Sequence, residues 1–298
     1  TYAELDRLSD RFAALLAQHG VGTGDRVAVF MPNCPQFLLA FYGILKRGAV
    51  HCPVSPLSRP FELAYQLEDT GATTILTLDT LMPLVREVQD QTGLTTVLAT
   101  RFADMLPVDP TLPLPDMLKA PPVPCPDAID LMPALETVGD PPAVTPDVNA
   151  VAALNYTGGT TGMPKGCIHT QGDMLYTASC NLGIAASIDQ NTVFLNFFPV
   201  FWIAGENAAL INPIFSGATL VLLTRWDPVA VMQAVTQYRV TNTALPVDGA
   251  MELLDHPRFL EFDLSSLRQI RVVSFVKKLN LAYRERWRSM TGGLLAES

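Results

Sequence analysis

Strand-like and helix-like segments alternate along most of this chain, and this alternation limits its possible folds more than any other feature. Short apolar runs that predict strands are each followed by apolar residues at helical spacing. Parallel strands need such crossover helices, so the order predicts an α/β fold with mostly parallel sheets flanked by helices. The predicted strands are 25–31, 50–54, 73–78, 94–99, 151–154, 167–169, 192–198, 218–223, 240–245 and 269–275. The predicted helices are 1–20, 35–47, 58–69, 80–90, 171–186, 204–216, one that starts at 227, 247–255 and 279–290.

One proline-rich stretch interrupts the alternation. Residues 105–148 hold many prolines and few periodic signals, which is typical of a long surface excursion and not of a separate domain. The first residues, by contrast, carry a clear local signal. Thr1 followed three residues later by Glu4 predicts a helix N-terminus with a capping box.

The stretch Asn155-Tyr-Thr-Gly-Gly-Thr-Thr-Gly-Met-Pro-Lys-Gly166 follows one of the predicted strands. Three glycines and three threonines fall between Thr157 and Gly162, and Lys165 adds a mobile positive charge. Glycine lets a backbone turn tightly, and successive N–H groups in such a turn bind anions. The pattern therefore predicts a phosphate-binding loop, the alternative being a solvated turn without function. It differs from the common P-loop, because two residues separate Gly162 from Lys165 and Gly166 follows the lysine.

Composition and charge exclude several classes. The net charge of −9 argues against nucleic acid as the main partner, because phosphate backbones require clustered Lys and Arg. No apolar run reaches the about 18 residues of a membrane span, so no transmembrane segment is expected. The five cysteines are scattered without zinc spacing, which is typical of reduced thiols and favours a cytoplasmic location.

The segment from Tyr156 to Gly166 resembles the phosphate-loop signature of the adenylate-forming enzymes. These are the acyl-CoA synthetases, the adenylation domains of peptide synthetases and the luciferases. Gly158 stands where the usual form has Ser, which is similar to a variant among fatty acyl-CoA synthetases. The resemblance covers nearly all 298 residues and implies two stacked α/β subdomains. The implied first subdomain is 21–186, with the phosphate loop, and the second combines 1–20 with 187–298.

The resemblance implies an ATP-dependent acid–thiol ligase. A carboxylic acid, by resemblance a fatty acid, is converted to an acyl-adenylate with loss of pyrophosphate and then transferred to coenzyme A. ATP, Mg²⁺ and coenzyme A are the implied cofactors and cosubstrates, and a homodimer is a further expectation. Thr157 is the implied metal ligand and, with Lys165, a catalytic residue. The residues implied to bind the nucleotide are Thr157, Gly158, Gly159, Thr160, Thr161, Gly162 and Lys165.

Two alternatives to this function stay open. An amino-acid-activating adenylation domain should carry an acidic residue in its pocket, for which Asp248 is a candidate. A non-catalytic nucleotide- or acyl-binding module is the other.

Two features near residue 277 bear on the family branch and on adenine binding. Leu279-Asn280 is similar to the crotonobetaine/carnitine-CoA ligase branch. Phe275-Val276 replaces glycines that lie against adenine in many members, so Phe275 either stacks on a purine or blocks it.

A second segment, Phe198-Pro-Val-Phe-Trp-Ile-Ala-Gly205, places aromatic residues where a strand ends and a helix begins. Ligands of α/β sheets bind at the carboxyl ends of strands. By resemblance the segment lines the acyl pocket, with Trp202 in place of the family's histidine. Core packing is the alternative for these aromatic residues, and an exposed position is the alternative for Glu206. The predicted substrate-binding residues are Phe201, Trp202, Gly205 and Glu206.

Two residues near the loop are interpreted as structural. A lone histidine in a short strand, His169, is more often a structural residue than a base, and Cys167 is predicted to be a small packing residue.

The resemblance places a magnesium-binding glutamate, a ribose-binding aspartate and a catalytic lysine beyond Ser298. We therefore interpret the sequence as a large part of an N-terminal domain, and we expect these 298 residues alone to form no acyl-CoA.

Overall fold

The computed structural model describes residues 1–158, 162–181, 188–273 and 280–297. The chain forms two compact units. The first contains Thr1–Pro110, Leu114–Tyr176 and Val200–Ile203, and the second contains Thr111–Pro113, Thr177–Pro199 and Ala204–Ser298. Each has its own sheet, so the predicted α/β class with mostly parallel strands is confirmed. Among the described residues, no helix has both the length and the apolar character needed to cross a membrane.

The first unit is built on a seven-stranded sheet. Its strands are β1 (Arg26–Phe30), β2 (Val50–Val54), β3 (Thr74–Leu78), β4 (Thr96–Thr100), β5 (Ile129–Asp130), β6 (Val151–Tyr156) and β7 (Gly166–Thr170). The order is β5-β4-β3-β1-β2-β6-β7, and every neighbouring pair is parallel except β6 and β7. The central strands are buried along almost their whole length, as expected of parallel strands covered by helices on both faces.

The helices of this unit are α1 (Tyr2–Gln18), α2 (Pro35–Lys46), α3 (Pro60–Thr70), α4 (Met82–Gln89) and α5 (Leu131–Thr137), together with α6 (Gln171–Cys180) up to Tyr176. The predicted capping box of Thr1 and Glu4 is present at the start of α1. Residues 1–20 belong to the first unit, whereas we expected them with the second. The reason is close packing of α1 on α2. Phe12 contacts α2 at Gly43, and Lys46 pairs with Asp6 at 2.5 Å and Asp10 at 2.7 Å.

The proline-rich stretch has more structure than its sequence indicates. Within 105–148, strand β5 adds two residues to the sheet edge beside β4, and α5 follows it directly. Leu131 and Leu135 of α5 are almost completely buried. Two leucines one turn apart are too few to produce a periodic signal, so only the tertiary contacts reveal this helix.

The second unit contains a fully parallel five-stranded sheet of order β12-β11-β10-β8-β9. Its strands are β8 (Val193–Asn196), β9 (Thr219–Leu222), β10 (Asn242–Pro246), β11 (Gln269–Val273) and β12 (Leu294–Glu297). Three helices of the same unit are α9 (Pro228–Tyr238), α10 (Val247–Asp255) and α11 (Leu281–Thr291). One face of the sheet is packed by apolar residues that include Leu245, Ile270 and Val272. Strand β12 was not predicted, because four residues after a Gly-Gly pair give little signal.

The predicted single helix 204–216 is irregular. It consists of α7 (Ile203–Gly205), a π-helical stretch (Glu206–Ile211) and α8 (Asn212–Ser216). Pro213 lacks a backbone N–H and cannot donate the i→i−4 hydrogen bond to Ala209, which explains the interruption. The predicted helix and strand ends at 182–187 and 274–279 lie outside the described residues.

Candidate functional site: a glycine-rich loop and two cavities

The loop predicted to bind phosphate connects the antiparallel strands β6 and β7. Its two limbs are joined at the neck: Thr157 N donates to Lys165 O at 3.0 Å, and Lys165 N donates to Thr157 Oγ1 at 3.3 Å. Gly158, Gly162 and Lys165 are exposed. The neck therefore holds the loop out from the sheet edge with its described backbone accessible. Gly159, Thr160 and Thr161 lie outside the described residues.

Two tyrosines attach the limbs of the loop to α3. Tyr65 Oη donates to Pro164 O at 3.0 Å, and Tyr156 Oη donates to Asp69 Oδ2 at 2.5 Å. Burial, and then the hydrogen bond to Asp69, raise the pKa of Tyr156, so its phenol stays protonated as a donor. The Tyr156 ring also lies against Gly166, where a Cβ atom would come within 3.2 Å of it. A side chain at Gly166 would therefore press against the Tyr156 ring.

A cavity of about 300 Å³ in the first unit opens beside this loop, and we call it the loop cavity. It brings together the ends of the phosphate loop, one side of α3 and the segment 200–203. Val200 N donates to Asn33 Oδ1 at 2.8 Å, which fixes that segment close to the end of β1. The lining residues are Pro53, Ser55, Leu57, Ser58, Glu62, Tyr65, Gln66, Tyr156, Thr157, Gly158, Pro164, Phe201 and Trp202.

Trp202 is 55% exposed, and its ring meets that of Phe201 edge to face at a centroid distance of 5.7 Å. Both rings line the loop cavity, so the structure brings these two predicted substrate-binding residues together with Thr157 and Gly158. A tryptophan exposed to this degree is not a core residue, which argues against the packing alternative for this position.

The second unit contains another cavity, of about 250 Å³, on the face of the sheet opposite its apolar core. We call it the asparagine cavity. Its walls come from β8, β10 and β11 and from the helical stretch after residue 203. The lining residues are Asn181, Ile188, Phe194, Phe198, Ala204, Asn207, Ala208, Asn212, Asn242, Thr243, Ala244, Arg271 and Val273.

Gly205 and Glu206, the other two predicted substrate-binding residues, line neither cavity. A Cβ atom on Gly205 would stand 2.0 Å from Pro199 O, so this position is a glycine because two backbone segments cross there. Glu206 is fully buried, which argues against the exposed alternative. Their role in substrate binding stays a prediction.

Two residues of β7, His169 and Cys167, and one residue of α10, Asp248, were also considered as site residues. His169 is half-buried on β7, and its structural role stays a prediction. Cys167 is exposed, so the prediction that it is a packing residue is wrong. Asp248 is exposed in the first turn of α10 and lines neither cavity. Phe275-Val276 lies outside the described residues.

No sequence pattern identified Tyr65, Asn33 or Arg271 as residues of these cavities or of the contacts that shape them. Tyr65 lies 99 positions from Pro164, and Asn33 lies 167 positions from Val200, so no local pattern links these pairs. Arg271 is the one charged residue in the predicted strand 269–275, and a charge inside a predicted buried strand is a signal of a candidate site. Among the described residues, no group of three His, Cys, Asp or Glu side chains is arranged to hold a metal ion.

Known proteins resemble this chain over almost its whole length. The sequence matches the family described as AMP-binding enzyme over residues 1–297. It is 30% identical to a long-chain-fatty-acid–CoA ligase of Bacillus subtilis over 98% of this chain and 54% of that protein. It is 29% identical to 4-coumarate–CoA ligase 3 of Oryza sativa subsp. japonica over 91% of this chain and 45% of that protein.

Solved structures show the same fold. The N-terminal domain of FACL13 from Mycobacterium tuberculosis, in an inhibitor-bound crystal structure, superposes with a TM-score of 0.82 at 23% identity, covering 100% of this chain and 68% of that one. The anthranilate CoA ligase AuaEII, in complex with anthranoyl-AMP, gives a TM-score of 0.85 at 22% identity, covering 100% and 54%. The chain spans about half the length of the curated relatives it matches. With the match extending over almost every residue, this chain belongs to the AMP-binding enzyme family.

Proposed function

We propose that the protein carrying this chain is an AMP-forming acyl-CoA ligase that activates a carboxylic acid with ATP and transfers it to coenzyme A. The observation that carries this proposal is the exposed glycine-rich loop between β6 and β7, with Lys165 at its neck and a cavity beside it. The named functions of the curated relatives support the same reaction class.

The loop suits the phosphates of ATP. A Cβ atom on Gly158 or Gly162 would meet nothing within 4 Å, so there is open space in front of the described loop backbone for an anion. Lys165 is exposed and has no ion-pair partner among the residues that the structure describes, so its charge is available to a ligand. Exposed N–H groups and one mobile cation are the elements of a polyphosphate site.

A magnesium ion would accompany ATP. Mg²⁺ in nucleotide sites keeps several waters and takes few protein ligands besides the phosphates, so one hydroxyl of the chain is enough to hold it there. Thr157 Oγ1 accepts one hydrogen bond from Lys165 N and retains a lone pair. When bound, the ion supplies charge neutralisation on the phosphate oxygens, and Thr157 is the residue that we propose as its ligand.

The reaction proceeds in two displacements. A carboxylate oxygen attacks the α-phosphorus of ATP and the bond to pyrophosphate breaks. The coenzyme A sulfur then attacks the acyl carbonyl and AMP leaves. In the first step this chain orients the phosphates through its loop, while the Lys165 ammonium stabilises negative charge that develops on them. Tyr65 and Tyr156 keep the loop limbs in place through their hydrogen bonds.

We propose a fatty acid as the acid, and Phe201 and Trp202 as part of its wall. One relative is named a long-chain-fatty-acid–CoA ligase, which supports a fatty acid, and another is named a 4-coumarate–CoA ligase. The amino-acid-activating alternative is less well supported. In the described lining of the loop cavity the carboxylate is Glu62, which already accepts a hydrogen bond from Arg59 N at 2.7 Å, and Asp248 lines neither cavity. The five free cysteines favour a cytoplasmic enzyme, because disulfides are rare in the cytoplasm. That the protein forms a homodimer stays a prediction.

The decisive experiment is acid-dependent exchange of labelled pyrophosphate into ATP, followed by coenzyme A thioester formation, with the full-length protein and a panel of carboxylic acids. We expect Lys165→Ala to lower the exchange rate by about 100-fold, the order found when one transition-state donor is removed. Lys119→Ala is the matched control, because Lys119 is an exposed lysine of the same unit outside the loop cavity. Exchange that no acid supports would refute the proposed function, and unchanged exchange in Lys165→Ala would refute the role of Lys165.

A further inference from the structure

The asparagine cavity belongs to the second unit alone, and its described lining contains a cation. All of these lining residues fall within Thr177–Pro199 and Ala204–Ser298. Arg271 of β11 is half-buried in the lining, and its guanidinium has no hydrogen-bond or ion-pair partner among the described residues. A partly desolvated cation without a counter-charge is unfavourable, because burial removes hydration that nothing replaces. An anionic ligand would supply the missing interaction.

Strand geometry directs Arg271 into the cavity. Successive side chains on a strand alternate between the two faces of a sheet. Ile270 and Val272, the neighbours of Arg271, are completely buried in the apolar core on one face. Arg271 is consequently directed to the other face, which the cavity occupies. The residue paired with Arg271 on β10 is Ala244, whose small side chain leaves room for the guanidinium.

A second polar side chain of the cavity is buried without a partner. Asn242 of β10 is 7% exposed, and its side-chain amide makes no hydrogen bond to any residue that the structure describes. Leu245 of the same strand packs in the apolar core, so alternation directs Asn242 to the cavity face together with Ala244. Buried amides are normally hydrogen-bonded. The Asn242 amino group is therefore a donor for a ligand in the cavity.

The rest of the described lining adds donors but no negative charge. No Asp or Glu is part of it, and Glu206, which precedes the lining residue Asn207, is fully buried outside it. Asn181 Nδ2 donates to Asn212 Oδ1 at 3.4 Å, which leaves the Asn212 amino group as a further donor. A cation together with neutral amides selects an anion over a cation.

Apolar side chains complete the walls beside the polar ones. Val273 follows Arg271 by two positions on the same face of β11, and Phe194 of β8 is paired with Asn242. Phe198 contributes a further ring. The volume of about 250 Å³ exceeds the about 150 Å³ of a cavity that binds benzene. The space therefore suits a ligand that has a short apolar body and one charged end.

We propose that the second unit binds a monocarboxylate with a short apolar body in the asparagine cavity, where Arg271 and Asn242 hold the carboxylate. The guanidinium presents donors in a fixed fork that matches a carboxylate. Asn242 lies two positions before the register partner of Arg271, a separation that a long side chain spans. Every group of this site belongs to one unit, so binding requires neither ATP nor the glycine-rich loop and does not depend on the proposed function.

The test is isothermal titration calorimetry of the full-length protein without ATP, using hexanoate, hexanamide and hexylamine as probes of matched length. Hexanoate should bind roughly tenfold or more tightly than hexanamide, because only the carboxylate forms a charge-assisted pair with Arg271. Hexylamine, which is positively charged, should bind most weakly. Equal affinities for hexanoate and hexanamide, or no binding of hexanoate at millimolar concentration, would overturn the inference.

Variants assign the preference to Arg271. Arg271→Leu should lower the affinity for hexanoate to that for hexanamide, whereas Arg271→Lys should retain part of the difference. Arg268→Leu is the matched control, because Arg268 is an exposed arginine three positions earlier that does not line the cavity. Thermal unfolding shows whether each variant is folded. The wild-type comparison of hexanoate with hexanamide needs no variant, so it stays decisive if Arg271→Leu does not fold.

A further variant tests the location of the carboxylate. Lys165 is an exposed cation of the glycine-rich loop and the alternative partner for hexanoate. Binding that is lost in Lys165→Ala and retained in Arg271→Leu would place the carboxylate at that loop and overturn the inference. The pyrophosphate-exchange assay tests the proposed function separately. A protein that binds hexanoate through Arg271 but supports no exchange would retain this site and refute the ligase function.

Discussion

At the scale of single residues, two exposed side chains, Trp202 of the loop cavity and Lys165 of the glycine-rich loop, differ from buried side chains in their contribution to stability. Trp202 and Lys165 contribute little to the core, since both are exposed. Trp287, by contrast, is completely buried in the core of the second unit. Replacement by alanine should therefore change mainly the function at Trp202 and mainly the stability at Trp287.

Trp202→Ala should change which acids are accepted more than it changes KM for ATP, with the free energy of unfolding altered by about 0.5 kcal/mol or less. Trp287→Ala should instead destabilise the protein by about 3–5 kcal/mol, because it empties a buried site. Acid panels in the exchange assay and chemical denaturation measure the two effects. An unchanged acid preference together with a large loss of stability in Trp202→Ala would show that Trp202 is a packing residue.

At the scale of elements, close packing of α1 on α2 determines where the N-terminal helix belongs. A Cβ atom on Gly43 would lie 2.7 Å from Phe12 Cδ1 and 2.9 Å from Ser9 O. The second of these is a backbone atom, so the clash cannot be relieved by a side-chain rotation alone. The glycine permits a helix approach that no other residue allows, and the three-residue network of Lys46, Asp6 and Asp10 lies at the same interface.

Gly43→Ala should lower the free energy of unfolding by about 1–3 kcal/mol, the usual cost of overpacking, even though alanine is the better helix former. Gly93→Ala is the control, because a Cβ atom there would meet nothing within 4 Å. Denaturant titrations of both variants give the comparison. Equal stability of the two variants, or a more stable Gly43→Ala, would contradict the close contact between α1 and α2.

At the scale of the whole molecule, one buried histidine makes folding depend on pH. His51 on β2 is completely buried, its ring lies edge to face with Phe37 and Phe41, and neither ring nitrogen has a partner among the described residues. Burial lowers the pKa of His51 from 6.5 to about 3. Between these values the unfolded chain binds a proton that the folded chain does not, so lowering the pH favours unfolding.

Wild-type protein should therefore lose about 2 kcal/mol more stability between pH 7 and pH 5 than His51→Leu does, at 1.36 kcal/mol for each pKa unit. The change is complete only when the pH falls to the folded-state pKa. Denaturation at both pH values measures the difference, with His19→Leu as a control because His19 is exposed. Parallel pH profiles of wild type and His51→Leu would show that His51 is not responsible.

Much of this molecule was predictable because its determinants are local. The alternation of apolar runs and helical spacing predicted the α/β class, the glycine-threonine run predicted the exposed loop, and Asp227-Pro228 predicted the start of α9. Each depends on neighbours within a few positions, where backbone sterics, capping hydrogen bonds and side-chain periodicity act.

What only the tertiary structure decided depends on residues far apart along the chain. The hydrogen bond from Tyr65 to Pro164, the placement of α1 on Gly43 and the burial of Leu131 and Leu135 all arise from packing between distant segments. The direction of Arg271 was likewise settled by which face of β11 the core covers. A sequence specifies local geometry through nearest neighbours, whereas these contacts exist only after the sheets have assembled and apolar surface has been removed from water.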